Sequence, residues 1–71
     1  MLRWNAERDE KVDSERADAY VEELIAVGRK YGVSLYHARP YGEAKGFFII
    51  GPLSEDAEEE LRKAQLHTED V

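Results

Sequence analysis

The sequence contains no cysteine among its 71 residues. A chain without thiols cannot form disulfide bonds, which excludes the disulfide-stapled scaffold common among small secreted domains. It also excludes a catalytic thiolate and every cysteine-ligated zinc or iron–sulfur site. Fold stability therefore depends on packing and on polar contacts.

Long apolar runs are also lacking. The longest are the four-residue stretches Leu24–Val27 and Phe47–Ile50, far short of the ~20 residues that a membrane-spanning helix requires. No apolar segment follows the first basic residue, as a secretory signal would need. Leu2 stands where myristoylation requires glycine. These features predict a cytoplasmic protein without a membrane partner.

Positive charge is in deficit, with 10 Lys and Arg against 16 Asp and Glu and a net charge of −6. Proteins that bind duplex nucleic acid use lysine and arginine to displace counterions, so the balance argues against that ligand. The length predicts a single domain over residues 1–71. Within it, residues 1–12 are expected to be a short strand or a loosely ordered arm.

One continuous apolar stripe predicts a helix from about Ser14 to Tyr31. Asp13 or Ser14 can cap its start, and Gly32 can end it in a left-handed conformation. The apolar positions recur at three- and four-residue steps, which is the period of an α-helix. They are Ala17, Tyr20, Val21, Leu24, Ile25, Gly28 and Tyr31.

Two apolar runs after this helix predict an antiparallel hairpin. The first covers 33–39 and the second 46–51, with turn-forming residues between them and Pro52 ending the second. Ser54 then caps a second helix from Glu55 to about His67. The expected fold is a small α+β domain in the order β-α-β-β-α, with one long helix and one acidic helix packed on a hairpin-based sheet.

The second strand of this hairpin is apolar on both faces. Phe47 and Ile49 alternate with Phe48 and Ile50, whereas a half-buried strand needs only one apolar face. Two candidates could cover the second face. One is the N-terminal segment acting as a third strand, and the other is a second copy of the chain, which would make a homodimer.

Negative charge is concentrated at the C-terminal end. Residues 54–71 carry a net charge of −5, compared with +1 for 33–53 and −2 for 1–32. An anionic helix face can dock on a basic protein surface and speed association. It can equally be a solvated surface that keeps a small protein soluble. The candidate binding residues are Glu55, Asp56, Glu58, Glu59 and Glu60.

The residue types needed for catalysis or metal binding do not occur in suitable patterns. His37 and His67 lack metal-ligand spacing. Ser14 and Ser54 are explained as helix caps, and 42–46 lacks the order of a phosphate-binding loop. We therefore expect no enzyme, no cofactor and no metal site.

The predicted hairpin tip combines cationic and aromatic side chains in Arg39, Tyr41 and Lys45. Tyrosine and arginine are common in the energetic centres of protein interfaces. A basic and aromatic hairpin can also stack single-stranded bases. A third interpretation is purely structural, with Tyr36 and Phe48 as a cross-strand pair and the cations keeping the sheet edge soluble.

The segment Tyr20–Val33, followed by a short hairpin and an acidic helix, resembles the small acidic accessory proteins encoded by bacteriophages. That group includes anti-CRISPR proteins and other DNA mimics that occupy a basic groove on a host protein. The resemblance implies a non-enzymatic inhibitor or modulator of a larger host protein, acting in the cytoplasm of the bacterial host cell if a phage encodes the chain. A homodimeric assembly protein and a single-strand nucleic-acid binder acting through the hairpin tip remain the alternatives.

Overall fold

The structure, a computed structural model, describes residues 1–37 and 48–67. The element order is β1 (Leu2–Asn5), β2 (Glu10–Asp13), α1 (Glu15–Tyr31), β3 (Val33–His37), β4 (Phe48–Pro52) and α2 (Glu55–Arg62). The α+β class is confirmed. The predicted order is corrected by one additional strand, since the chain runs β-β-α-β-β-α.

The N-terminal residues form a hairpin of their own. β1 and β2 pair antiparallel, with Leu2 opposite Asp13 and Asn5 opposite Glu10. The Asn5 side chain, 1% exposed, closes the turn because its Oδ1 accepts hydrogen bonds from the backbone N–H groups of Glu7 and Arg8 at 3.0 and 2.9 Å. Neither strand approaches β3 or β4, so the prediction that this segment could cover the central hairpin is wrong.

α1 begins and ends where its sequence predicts. The Ser14 hydroxyl oxygen accepts a hydrogen bond from the Ala17 N–H at 3.2 Å, and Gly32 ends the helix at φ 72° with its N–H donated to the Gly28 carbonyl. The apolar stripe is only partly covered. Val21 and Ile25 are buried, whereas Tyr20 and Tyr31 are exposed.

β3 and β4 form a separate two-stranded sheet, here called the ribbon. The pairing sets Leu35 opposite Ile50 and Tyr36 opposite Ile49. The structural interpretation in which Tyr36 and Phe48 form a cross-strand pair is therefore wrong. Phe48 lies opposite His37 and makes an edge-on ring contact with it at 5.7 Å. β4 extends through Pro52, one residue beyond its predicted end.

α2 is shorter than predicted and ends at Arg62 instead of about His67. The residues after it return to β1, where the Leu66 N–H donates to the Trp4 carbonyl at 2.8 Å and the Ala6 N–H donates to the Leu66 carbonyl at 3.0 Å. Leu66, which does not fit the helical stripe, is buried by this contact. The tertiary contact overrides the helical propensity of this segment.

The core lies between α1, α2 and the segment that follows α2. In the part of the chain that the structure describes, the buried apolar side chains are Val21, Ile25, Ala57 and Leu66. Ser34 is also buried, and its hydroxyl oxygen accepts a hydrogen bond from the Ser54 N–H at 3.0 Å. This bond ties β3 to the start of α2.

Candidate protein-binding surfaces

α2 presents two faces of different character. Ala57 and Glu58 are buried and Leu61 is half-buried, so these positions face the rest of the molecule. Glu55 and Glu59 lie one helical turn apart and form a row on the outer side. Asp56 and Glu60 form the adjacent row. We name the four exposed residues Glu55, Asp56, Glu59 and Glu60 the acidic face.

Glu58 faces inward and is paired. Its carboxylate accepts two hydrogen bonds from Arg29 on α1, from Nε to Oε2 at 3.0 Å and from Nη2 to Oε1 at 2.7 Å. The bonds hold the pKa of Glu58 below its usual 4.5, because they favour the charged form of the carboxyl group. The structure thus separates Glu58 from the other four acidic candidates and leaves it outside the acidic face.

A second arginine fixes the far end of α2. Arg62 donates from Nε and Nη2 to the Glu22 carboxylate on α1, at 3.0 and 3.3 Å. These hydrogen bonds lower the pKa of Glu22. Arg62 also lies 3.8 Å from Glu59, one turn earlier on α2. The two arginine–glutamate pairs therefore attach α2 to α1 at the middle of the short helix and at its C-terminal end.

Arg3 anchors the backbone just beyond α2. Its side chain is 3% exposed, and its Nη1 donates to the carbonyls of Arg62 and Ala64 at 2.7 and 3.0 Å. Nε and Nη2 donate to Asp18 on α1 at 3.0 and 2.8 Å. Hydrogen bonds lower the pKa of Asp18, and the bond from the Met1 N-terminal ammonium group has a larger effect than those from Arg3. Arg3 thereby satisfies carbonyls at the helix end that would otherwise lack donors.

Most carboxylates on the acidic face form no ion pair with a described residue. Within residues 1–37 and 48–67, Glu55, Asp56 and Glu60 form no ion pair, and Glu59 has only the 3.8 Å contact with Arg62. Glu55 and Asp56 occupy the first turn of α2, where the helix dipole favours anions. The acidic face is therefore a patch of largely unpaired negative charge on a helix that the arginine pairs hold in place.

A second surface is apolar and lies across α1 and the ribbon. Alternation along the strands places Leu35, Phe48 and Ile50 on one side of the ribbon. This side meets Leu24 and Val27 of α1 around a groove of about 160 Å³. We name these five residues the apolar face. Ile50 is 73% exposed, Phe48 65% and Val27 53%.

A close approach of α1 to β3 forms the floor of the groove. A Cβ atom at Gly28 would lie 2.6 Å from the Val33 carbonyl oxygen, so only glycine permits this helix–strand distance. Leu61 of α2 closes another side of the groove. The size is close to that of a cavity that holds one benzene-sized group.

The remaining predicted binding residues, Arg39, Tyr41 and Lys45, lie outside the described residues, and a function of the hairpin tip stays a prediction. The cationic partners Arg3, Arg29 and Arg62 were not among the predicted site residues. Their carboxylate partners lie 15, 29 and 40 positions away, and no local pattern marks such pairs. Position alone does separate Glu58 from its neighbours, since it falls beside Leu61 on the inward side of α2.

Neither described helix is long and apolar enough to cross a membrane. Within the same residues, no three histidine or carboxylate side chains meet in a way that could hold a metal ion. Comparisons of the chain with protein-family models, with curated proteins and with solved structures found no match, so the function proposed next rests on the geometry of the acidic and apolar faces.

Proposed function

We propose that this chain is a small non-enzymatic binding protein that attaches to a larger protein and modulates it. In this proposal the acidic face of α2 meets a basic surface on the larger protein. The observation that carries the proposal is the division of α2 into two faces. The inward carboxylate Glu58 is neutralised by Arg29, whereas three of the four outward carboxylates form no ion pair with a described residue.

The way in which α2 is held supports recognition by this face. Arg29 and Arg62 connect the helix to α1 by two hydrogen bonds each. A rigid charged surface loses little conformational freedom when a partner docks. Its field also attracts a basic partner over a distance and raises the association rate.

The state of the carboxylates supports binding over catalysis. A general acid at neutral pH needs a raised pKa, which burial or a neighbouring anion produces. Here hydrogen bonds from cations lower the pKa values of Asp18, Glu22 and Glu58. These groups are therefore stable anions that hold the fold together.

The test compares two variants of equal net charge. In the face variant, Glu55, Glu59 and Glu60 are changed to Gln and Asp56 to Asn. In the control variant, Glu7, Glu10, Glu15 and Glu23 are changed to Gln. Each set neutralises four exposed carboxylates and changes the net charge from −6 to −2. Glu15 lies in the first turn of α1 and so matches the helix-start position of Glu55 and Asp56.

Wild type and both variants are immobilised and used to capture proteins from a cell extract at low and at raised salt. We expect a protein that binds wild type and the control variant, is lost from the face variant, and dissociates as salt increases. Equal loss from both variants would mean that net charge alone attracts the captured protein. Equal retention by both would mean that the acidic face does not bind it. Either result contradicts the proposal.

A further inference from the structure

Within the described residues, the apolar side chains that remain exposed are on the whole larger than those that are buried. The buried apolar residues are Val21 and Ile25 on α1, the small Ala57 on α2, and Leu66 beyond α2. The apolar face meanwhile exposes Phe48, Ile50 and Val27 to more than half of their full area. Monomeric soluble proteins rarely leave a contiguous patch of this kind uncovered.

The N-terminal segment, one of the two candidates to cover the ribbon, lies elsewhere in the fold. β1 and β2 pair with each other and dock on the residues that follow α2. Among the described elements, β4 contacts β3 alone. β3 supplies the ribbon's contacts with α1 and α2, and the large apolar side chains that remain exposed on the ribbon are those of β4.

We propose that two copies of this chain form a homodimer in which the apolar face of one copy packs against the apolar face of the other. A two-fold dimer uses the same patch on both subunits, so the patch must be self-complementary. The apolar face is compatible with this requirement because none of its five residues is charged, and the His37 ring on the same side of the ribbon packs edge-on against Phe48. The ionised side chain beside the groove, Glu58, is already paired with Arg29.

The available area agrees with a dimer interface. Phe48, Ile50 and Val27, with the half-buried Leu24 and Leu35, expose on the order of 500 Å² of side-chain surface, taking about 200 Å² for each large apolar residue when fully exposed. Tyr31, 69% exposed at the end of the same helix, raises this by more than 100 Å². Specific interfaces bury roughly 800 Å² on each partner, so the patch supplies most of what a stable dimer needs.

The position of the negative charge also permits this arrangement. The four carboxylates of the acidic face point away from the side of α2 that borders the groove. Two copies can therefore meet without bringing these carboxylates together. The dimer goes beyond the proposed function and does not depend on it, because it uses a different surface.

The dimer and the proposed partner complex respond to salt in opposite directions. Each copy has a net charge of −6, so the two copies repel each other and added salt tightens the dimer by screening this repulsion. Binding of the acidic face to a basic protein weakens under the same change. Failure of one proposal is thus distinguishable from failure of the other.

The test measures molar mass by sedimentation equilibrium over a range of protein concentrations. Ile50→Thr is the test variant, and Ile49→Thr is its matched control. Both residues lie on β4 and are exposed, at 73% and 47%, but they point to opposite sides of the ribbon. Because each is exposed in the monomer, both variants should fold, which far-UV circular dichroism verifies.

We expect wild type and Ile49→Thr to reach twice the chain mass, and Ile50→Thr to raise the dimer dissociation constant at least about tenfold, since it removes two apolar contacts per dimer. A wild-type protein that remains monomeric at every concentration overturns the proposal, whatever the variants do. A dimer that both variants weaken equally, or neither weakens, overturns the assignment to the apolar face.

Discussion

Arg29 and Glu58 lie 29 positions apart in the chain and form a two-point ion pair, with N–O distances of 3.0 and 2.7 Å. The Glu58 side chain is 7% exposed, whereas that of Arg29 is 58% exposed. The carboxylate is therefore withdrawn from water and depends on the arginine for compensation. The pair sets the orientation of α2 on α1 and thus the direction in which the acidic face points.

Replacing Glu58 by Gln should destabilise the protein. The neutral amide cannot accept both arginine N–H bonds as a carboxylate does, and Arg29 loses its counterion. We expect Tm to fall by several degrees in a thermal unfolding experiment. Glu55→Gln, an exposed change of the same type on the same helix, should leave Tm nearly unchanged. Equal effects of the two variants would show that the pair contributes nothing specific.

Stability should fall under mildly acidic conditions. The pKa of Glu58 in the folded protein lies below its ordinary value of 4.5, so the pair's full contribution to stability is present above that pH. It is lost as the pH falls through the lower, folded-state value. Asp18 and Glu22 also have lowered pKa values and act in the same direction.

Urea unfolding at a series of pH values measures this dependence. The free energy of unfolding of wild type should decrease as the pH drops below about 4.5, and the difference between wild type and Glu58→Gln should shrink over the same range. A difference that stays constant down to the acid-unfolded state would contradict the assignment of the lowered pKa to this pair.

Arg3 should not be replaceable by lysine. The guanidinium group donates four hydrogen bonds, two to Asp18 and two to the carbonyls of Arg62 and Ala64. An ammonium group cannot match this planar geometry. We expect Arg3→Lys to lower the free energy of unfolding by about 2 kcal/mol, the scale of losing a hydrogen bond to a charged group at a buried site.

Arg8→Lys is the matched control for this change, because Arg8 lies on the exposed turn of the same N-terminal hairpin. Chemical unfolding of both variants compares the two positions. Amide exchange at Leu66, whose N–H is bonded to β1, should accelerate only in Arg3→Lys. Similar stability of the two variants would argue against an anchoring role for Arg3.

The two glycines at the end of α1 should respond differently to substitution. Gly28→Ala places a Cβ 2.6 Å from a backbone carbonyl oxygen, which is overpacking and should cost about 1–3 kcal/mol. Gly32 has φ 72° and open space around it, so Gly32→Asn should cost little, because asparagine tolerates this conformation. Asn at position 28 should be at least as harmful as Ala. Comparable losses for Asn at both positions would contradict the steric explanation.

Local signals predicted α1 well, because Ser14, the apolar stripe and Gly32 all act within a few residues of the helix. The N-terminal hairpin was missed, since its strands are four residues long and β2 is largely charged. The turn signal at Asn5 could have revealed it. The end of α2 was overestimated because Leu66 is recruited by β1, a contact 61 positions away in the chain.

The candidate binding residues were predictable only in part. A helical projection of 55–62 separates Glu58 from the other acidic residues, but its pairing with Arg29 depends on how α1 and α2 pack. The exposed apolar face was indicated by the two-sided apolar character of the second strand. The apolar stripe on α1 did not indicate that Tyr20 and Tyr31 would be exposed. Periodicity shows which residues share one side of a helix, but it does not show which other elements cover that side.

The parallel bridge between Asn5 and Leu66 has a consequence for biosynthesis. β1 and β2 are translated before both helices, whereas the backbone on which they dock is translated after them. A two-stranded hairpin is marginally stable without a second element packed against it. β1 and β2 therefore lack their contact with Leu66 while the helices emerge. The native arrangement of this hairpin closes only after Leu66 has emerged, and loop-closure entropy makes so distant a contact slow to form.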